Sequence, residues 1–194
     1  MKRFIFTLLA VCAVSAGAQA QSLLDIVKKA ATDAADKATG GKLTEMAIIG
    51  TWTYSSPAVK LEGGDLLADA GGAVLSSTIE SKLSTIYQKV GIKPGMCTIT
   101  FGNDGTFSMP VKSKTVNGTY VFNASTHEIT LTIGKVGSFT GKAYISGTNL
   151  QLVFPVDKFV GFAATLGSKI SALSSVTALL EKYKNANLGF GFAK

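Results

Sequence analysis

Apolar positions along the chain change period five times, and each change marks a passage between helix and strand. From Ser22 they recur at helical spacing, at Leu23, Val27, Ala30, Ala34 and Ala38. Ser22-Leu23-Leu24-Asp25 forms a capping box ahead of them and Gly40-Gly41 ends the run. The stripe is mostly Ala and buries little area, so this helix is expected to dock loosely. Gly50-Thr51-Trp52-Thr53-Tyr54-Ser55 then opens a strand expected to end near Pro57. Gly63-Gly64-Asp65 supplies a turn and N-cap for an amphipathic helix running to about Val90. Its stripe is Leu67, Ala70, Val74, Leu75, Ile79, Leu83, Ile86, Tyr87 and Val90. Lys93-Pro94-Gly95 stops it.

From Cys97 the period is two. Cys97–Phe101 and Thr106–Val111 flank an Asp104-Gly105 hairpin turn. Thr119–Phe122, with Asn117-Gly118 at its start, His127–Ile133, Phe139–Ser146 and Leu150–Phe154 follow, separated by Gly-rich turns. Short strands joined by tight turns predict an antiparallel up-and-down meander that closes on itself, leaving no unpaired edge. After Phe154-Pro155, Asp157 caps a second long helix through Phe159, Ala163, Leu166, Ile170, Leu173, Val176, Leu180 and Tyr183. Gly161, Ala164, Gly167 and Ala172 would let it approach a neighbouring surface closely. Gly189–Lys194 alternates again and is expected to close the barrel beside the first strand. The fold class is therefore mainly β, an antiparallel up-and-down barrel with helices inserted between its first two strands and before its last.

The beginning of the chain reads as a targeting segment. Lys2 and Arg3 precede the apolar run Phe4–Val14, and Ala18-Gln19-Ala20 offers a cleavage site. The expected organisation is a signal peptide over 1–20, an N-terminal helix over 21–41 with some mobility, and one barrel domain over 42–194. The protein is expected to be exported, periplasmic or secreted, with no transmembrane segment. A less favoured reading takes Leu9-Ala10-Val11-Cys12 as a lipoprotein box. Without Cys12 only Cys97 remains, so no internal disulfide forms and the core alone holds the fold. Cys97 reads as a buried inert thiol. The net charge of +7 falls to +5 once Lys2 and Arg3 are removed, and Arg3 is the only Arg. A surface of scattered Lys without Arg argues against a nucleic-acid partner.

A barrel meander introduced by Gly50-x-Trp52, with the hairpin Phe101-Gly102-Asn103-Asp104-Gly105-Thr106-Phe107, resembles the lipocalin (calycin) superfamily. More closely it resembles exported bacterial lipocalin-like families of unknown function, over roughly residues 48–194. The resemblance makes Gly50 and Trp52 structural. In lipocalins an Arg of the last strand covers this Trp at the closed end of the barrel. With no Arg available, another group must cover Trp52, an aliphatic Lys stem or an inserted helix.

Catalytic chemistry is not assembled by this sequence. His127 is the only His and reads as an exposed strand residue, so no His-based metal cluster is expected and no cofactor is implied. No nucleophile elbow or phosphate-binding loop occurs, and Asn103-Asp104-Gly105 reads as a turn rather than a calcium loop. Asn117-Gly118-Thr119 and Asn123-Ala124-Ser125 match the glycosylation acceptor, but the signal segment looks bacterial. The expectation is no enzyme. The candidate ligand-binding residues are the aromatics of the meander: Phe101, Phe107, Tyr120, Phe122, Phe139, Tyr144 and Phe154. Either they line a site for a small hydrophobic or amphipathic ligand, or they fill the barrel and the protein serves the cell envelope by docking a protein partner. A surviving cavity of about 300 Å³ or more between strands and helices would favour the first, and an interior filled so that none survives would sink it.

Overall fold

The structure is a computed structural model that describes residues 34–61, 70–166, 176 and 186–194. The segment read as a signal peptide (with Cys12), most of the expected N-terminal helix, the expected start of the first inserted helix and most of the expected second one beyond Leu166 lie outside the described residues. Eight strands form a closed barrel in which each pairs antiparallel with the next and the last returns to the first. They are β1 (Gly50–Leu61), β2 (Thr98–Phe101), β3 (Thr106–Val111), β4 (Lys114–Asn123), β5 (Glu128–Ile133), β6 (Gly137–Ser146), β7 (Asn149–Pro155) and β8 (Ala186–Ala193). Three described helices accompany them: α1 (Lys42–Ala47), α2 (Ala70–Val90) and α3 (Val156–Thr165). Residues 34–38 are also helical, and Gly40 and Gly41 at φ 62° and 82° end that turn as the sequence predicts.

The wall follows from the two-residue period. Phe139, Gly141, Ala143 and Ile145 of β6 are buried while the residues between them are not, and Leu150, Leu152 and Phe154 face inward beside them on β7. β8 then sets Phe192, Phe190 and Leu188 opposite those three. Strand β1 runs past Pro57 to Leu61, longer than the sequence suggested. A bulge at Ser55 shifts its register, so that Trp52 and Tyr54 face inward before it and Pro57, Val59 and Leu61 after it. Pro57 is tolerated because β1 has a partner on one side only at that point.

That one-sided stretch explains the first helical insertion. β2 spans four residues and pairs only with Gly50–Thr53, leaving the rest of β1 without a strand on that side. Helix α2 packs against β1, with Ile79, Leu83, Ile86 and Tyr87 buried at i, i+4, i+7 and i+8. The helix thus completes a wall that β2 is too short to supply. The described start of the second insertion lies over the mouth, the end of the barrel at which β7 finishes. α3 packs on β6, β7 and β8 and buries Phe159, Phe162 and Ala163.

The base of the barrel is sealed by the chain ahead of β1. Trp52 is buried, and its indole Nε1–H donates to the Ile48 carbonyl at 2.7 Å. The ammonium of Lys194 lies 4.5 Å from the centre of the Trp52 ring and donates to the Ala47 carbonyl at 3.2 Å. A terminal Lys therefore covers the indole where an Arg was missing, one of the two covers the sequence allowed. The small side chains of the segment ahead of this point bury little area, and polar contacts tie its described part to the barrel. Buried Asp36 accepts from the Thr44 N–H at 2.9 Å and the Thr44 hydroxyl at 2.7 Å, and pairs with His127 Nε2 at 2.8 Å.

This pair corrects one expectation. His127 is not an exposed strand residue but the last residue of the β4–β5 turn, at φ 57°, and only half-buried. The left-handed backbone turns its ring onto Tyr144, 5.3 Å away and nearly parallel. β4 also begins earlier than predicted, at Lys114. Lys112 at φ 55° turns the chain there, and the two residues Lys112-Ser113 form the whole β3–β4 loop.

Candidate functional site

The seven aromatics singled out from the sequence fall into three places. Phe101, Phe107 and Tyr120 meet near the base: the Phe101 and Phe107 rings are 6.4 Å apart and Phe101 lies edge-on to Tyr120 at 5.0 Å. The Tyr120 hydroxyl donates to the Gly102 carbonyl at 2.8 Å, tying β4 to the β2–β3 hairpin. Burial, with Asp104 nearby, pushes that phenol above its ordinary range. Phe122, half-buried on the same face, lies edge-on to His127. Phe139 and Phe154 sit at the opposite end, both against Phe162 of α3.

Tyr144 is the exception. It alternates with the buried residues of β6 and pairs with exposed Gln151, so it lies on the outer face and does not line the interior. There the Lys60 ammonium sits 3.4 Å from its ring centre, and His127 stacks on it. Alternation along the strand already separates the two, since Phe139 and Tyr144 stand an odd number of positions apart and so face opposite sides of the wall.

The interior between these groups is occupied by side chains. Phe190 stacks on Tyr87 at 4.9 Å and contacts Tyr54, Phe159, Phe162 and Phe192. Phe154 stacks on Phe162 at 5.1 Å. Tyr87 is wholly buried; its hydroxyl donates to the Gly189 carbonyl at 2.9 Å, and burial drives its pKa well up. An eight-stranded barrel is just wide enough to be filled by side chains. Here two helices contribute Tyr87, Phe159 and Phe162 to that filling.

A cavity of about 630 Å³ does survive, outside this aromatic stack. It is an open cleft at the mouth, between the start of β4, the β5–β6 hairpin and the second half of α3. Val116 and Ile133, both buried inner-face residues, are among its lining. Gly161, Ala164 and Thr165 form the helical side, and Lys114, Lys135 and Val136 stand at the edge. The small residues of α3 make the space. A Cβ on Gly161 would come 3.0 Å from the Phe139 ring, and exposed Ala164 presents only a methyl. Val136 is 62% exposed, an apolar side chain left uncovered at the edge. None of the seven predicted aromatics lines this cleft, although Phe139 lies beneath Gly161. The sequence signal for it was the small-residue spacing of α3, legible as close approach but not as a gap.

Cys97 is a buried free thiol, donating to the Gly91 carbonyl at 3.5 Å. Among the described residues no group of three His, Cys, Asp or Glu side chains gathers as a metal site would require.

A closed eight-stranded up-and-down barrel, opened by Gly-x-Trp and flanked by inserted helices, is a lipocalin-like domain. The chain belongs to the lipocalin-like domain family DUF4923, whose family model matches residues 23–194. A solved structure, a DUF4847 family protein from Bacteroides vulgatus, aligns with 78% of this chain and 96% of its own at 17% identity, with a TM-score of 0.38. No curated protein is significantly similar to the chain.

Proposed function

We propose that this protein is an exported binding module that holds a small hydrophobic or amphipathic molecule and does no chemistry on it. The observation that carries this reading is the apolar-lined cleft of about 630 Å³ at the mouth, within the roughly 300–1,000 Å³ typical of small-molecule sites. Because aromatics fill the barrel interior, the ligand sits in this cleft beside α3 rather than in the barrel. Ala164→Trp tests it, since the indole would enter the cleft from an exposed position and displace no buried side chain. Titration with a fluorescent apolar probe should give binding to the wild type and at least about tenfold weaker binding to the variant, with an unchanged unfolding midpoint. Equal binding by both would place the ligand elsewhere.

A second reading, an envelope protein that docks a protein partner, is favoured by the filled interior and by a separate surface. Leu43, Met46 and Ile49 stand exposed at three-residue spacing along α1 and just beyond it, at the base. Loss of a co-purifying partner on Met46→Glu, with probe binding intact, would favour this reading over the cleft.

A further inference from the structure

We propose that the ligand of the mouth cleft is an anionic amphiphile, its carboxylate, sulfate or phosphate head held at the edge by Lys114 and Lys135 while its apolar part lies against Val116, Ile133 and α3. The assignment rests on the reading of the cleft as a ligand site. Lys114 and Lys135 are the only charged side chains among the described lining residues, and no acid accompanies them. Neither has an ion-pair partner among the described residues.

The imbalance extends beyond the cleft. Between Asp104 and Asp157 the chain carries a single acid, Glu128, against Lys112, Lys114, Lys135 and Lys142. Glu128 follows the β4–β5 turn, which lies at the base, whereas the β3–β4 and β5–β6 hairpins that carry Lys114 and Lys135 lie at the mouth. Asp157 is in the first turn of α3, away from the half that lines the cleft, and beside Lys158 at 3.5 Å. Among the described residues the main opposing charge near the cleft is the C-terminal end of α3, worth roughly half an elementary charge. Two ammonium groups outweigh it. Lys rather than Arg at both positions makes the contact a point-charge attraction without a bidentate fork, so it selects the sign of the head more than its shape.

Calorimetric titration with decanoate, decanol and decylammonium at low salt, each below its micelle threshold, separates the possibilities. Decanoate should bind about tenfold more tightly than decanol, the sum expected of two exposed ion pairs, and decylammonium most weakly. Added salt should erase the decanoate advantage and leave decanol unchanged. Lys114→Gln with Lys135→Gln should bring decanoate down to the decanol affinity without altering decanol binding or the unfolding midpoint. Equal affinity for the three heads, or a decanoate preference that survives the double variant, overturns the proposal. So does binding to phosphatidylglycerol vesicles without binding to monomeric decanoate, which would make the lysines a membrane contact. Failure of the underlying cleft reading looks different: no decyl compound binds at all, and both proposals fall together.

Discussion

Single side chains decide how this barrel is sealed and filled. Tyr87 reaches from a helix into a strand, and its hydroxyl satisfies the Gly189 carbonyl in the core. Tyr87→Phe keeps the ring stack on Phe190 but leaves that bond unmade, at a cost of about 1–2 kcal/mol. Urea unfolding should show that loss, and an unchanged midpoint would mean the bond is replaced. Asp36 is a second such point. Burial raises its pKa, but the hydroxyl and N–H of Thr44 and the His127 ring hold the carboxyl net below its ordinary value. A depressed folded pKa contributes stability that is full above the ordinary Asp value near 3.8 and is lost as pH falls below it, through the folded value. Asp36→Ala, which leaves the buried Thr44 N–H without its acceptor, should cost about 1–3 kcal/mol at neutral pH. The variant should also lose less stability than the wild type between pH 5 and 3; parallel profiles would remove Asp36 from the acid response. His127 carried no hint of this pairing in the sequence, because its partner lies ninety-one positions away.

Among the elements, the helices carry the departures from a plain meander. The stripe of α2 was legible because Ile79, Leu83, Ile86 and Tyr87 keep helical spacing, and those four are buried in the fold. Its reason for being there was not legible. Only the pairing of a four-residue β2 with a twelve-residue β1 reveals a wall with a gap that a helix must fill. Leu83, fully buried on that face, is a sensitive point. Leu83→Ala should destabilise the whole barrel by about 2–5 kcal/mol in a single cooperative transition. An early, separate transition would mean that α2 is a detachable lid rather than part of the wall. The strands were easier to read than their faces. Six of the seven predicted aromatics point inward, but Tyr144 points out, since it stands an odd number of positions from Phe139 on one strand and alternation puts the two on opposite faces.

For the molecule as a whole, two helices turn a barrel that could hold a ligand inside into one filled by its own aromatics. The space that remains lies at the mouth, bounded by small residues of α3 and edged by lysines. Fold class and element order could be read from periodicity because closure of a meander is a local pattern repeated. The cleft could not, because it is set by how α3 rests on β6 and β7, a matter of tertiary packing. The most direct test maps amide chemical-shift changes in the protein as decanoate is added. The account predicts changes confined to 114–117, 133–136 and 161–165, saturating together. Changes centred on Phe101, Phe107, Tyr120 and Phe122 would instead place the ligand inside the base of the barrel and contradict it.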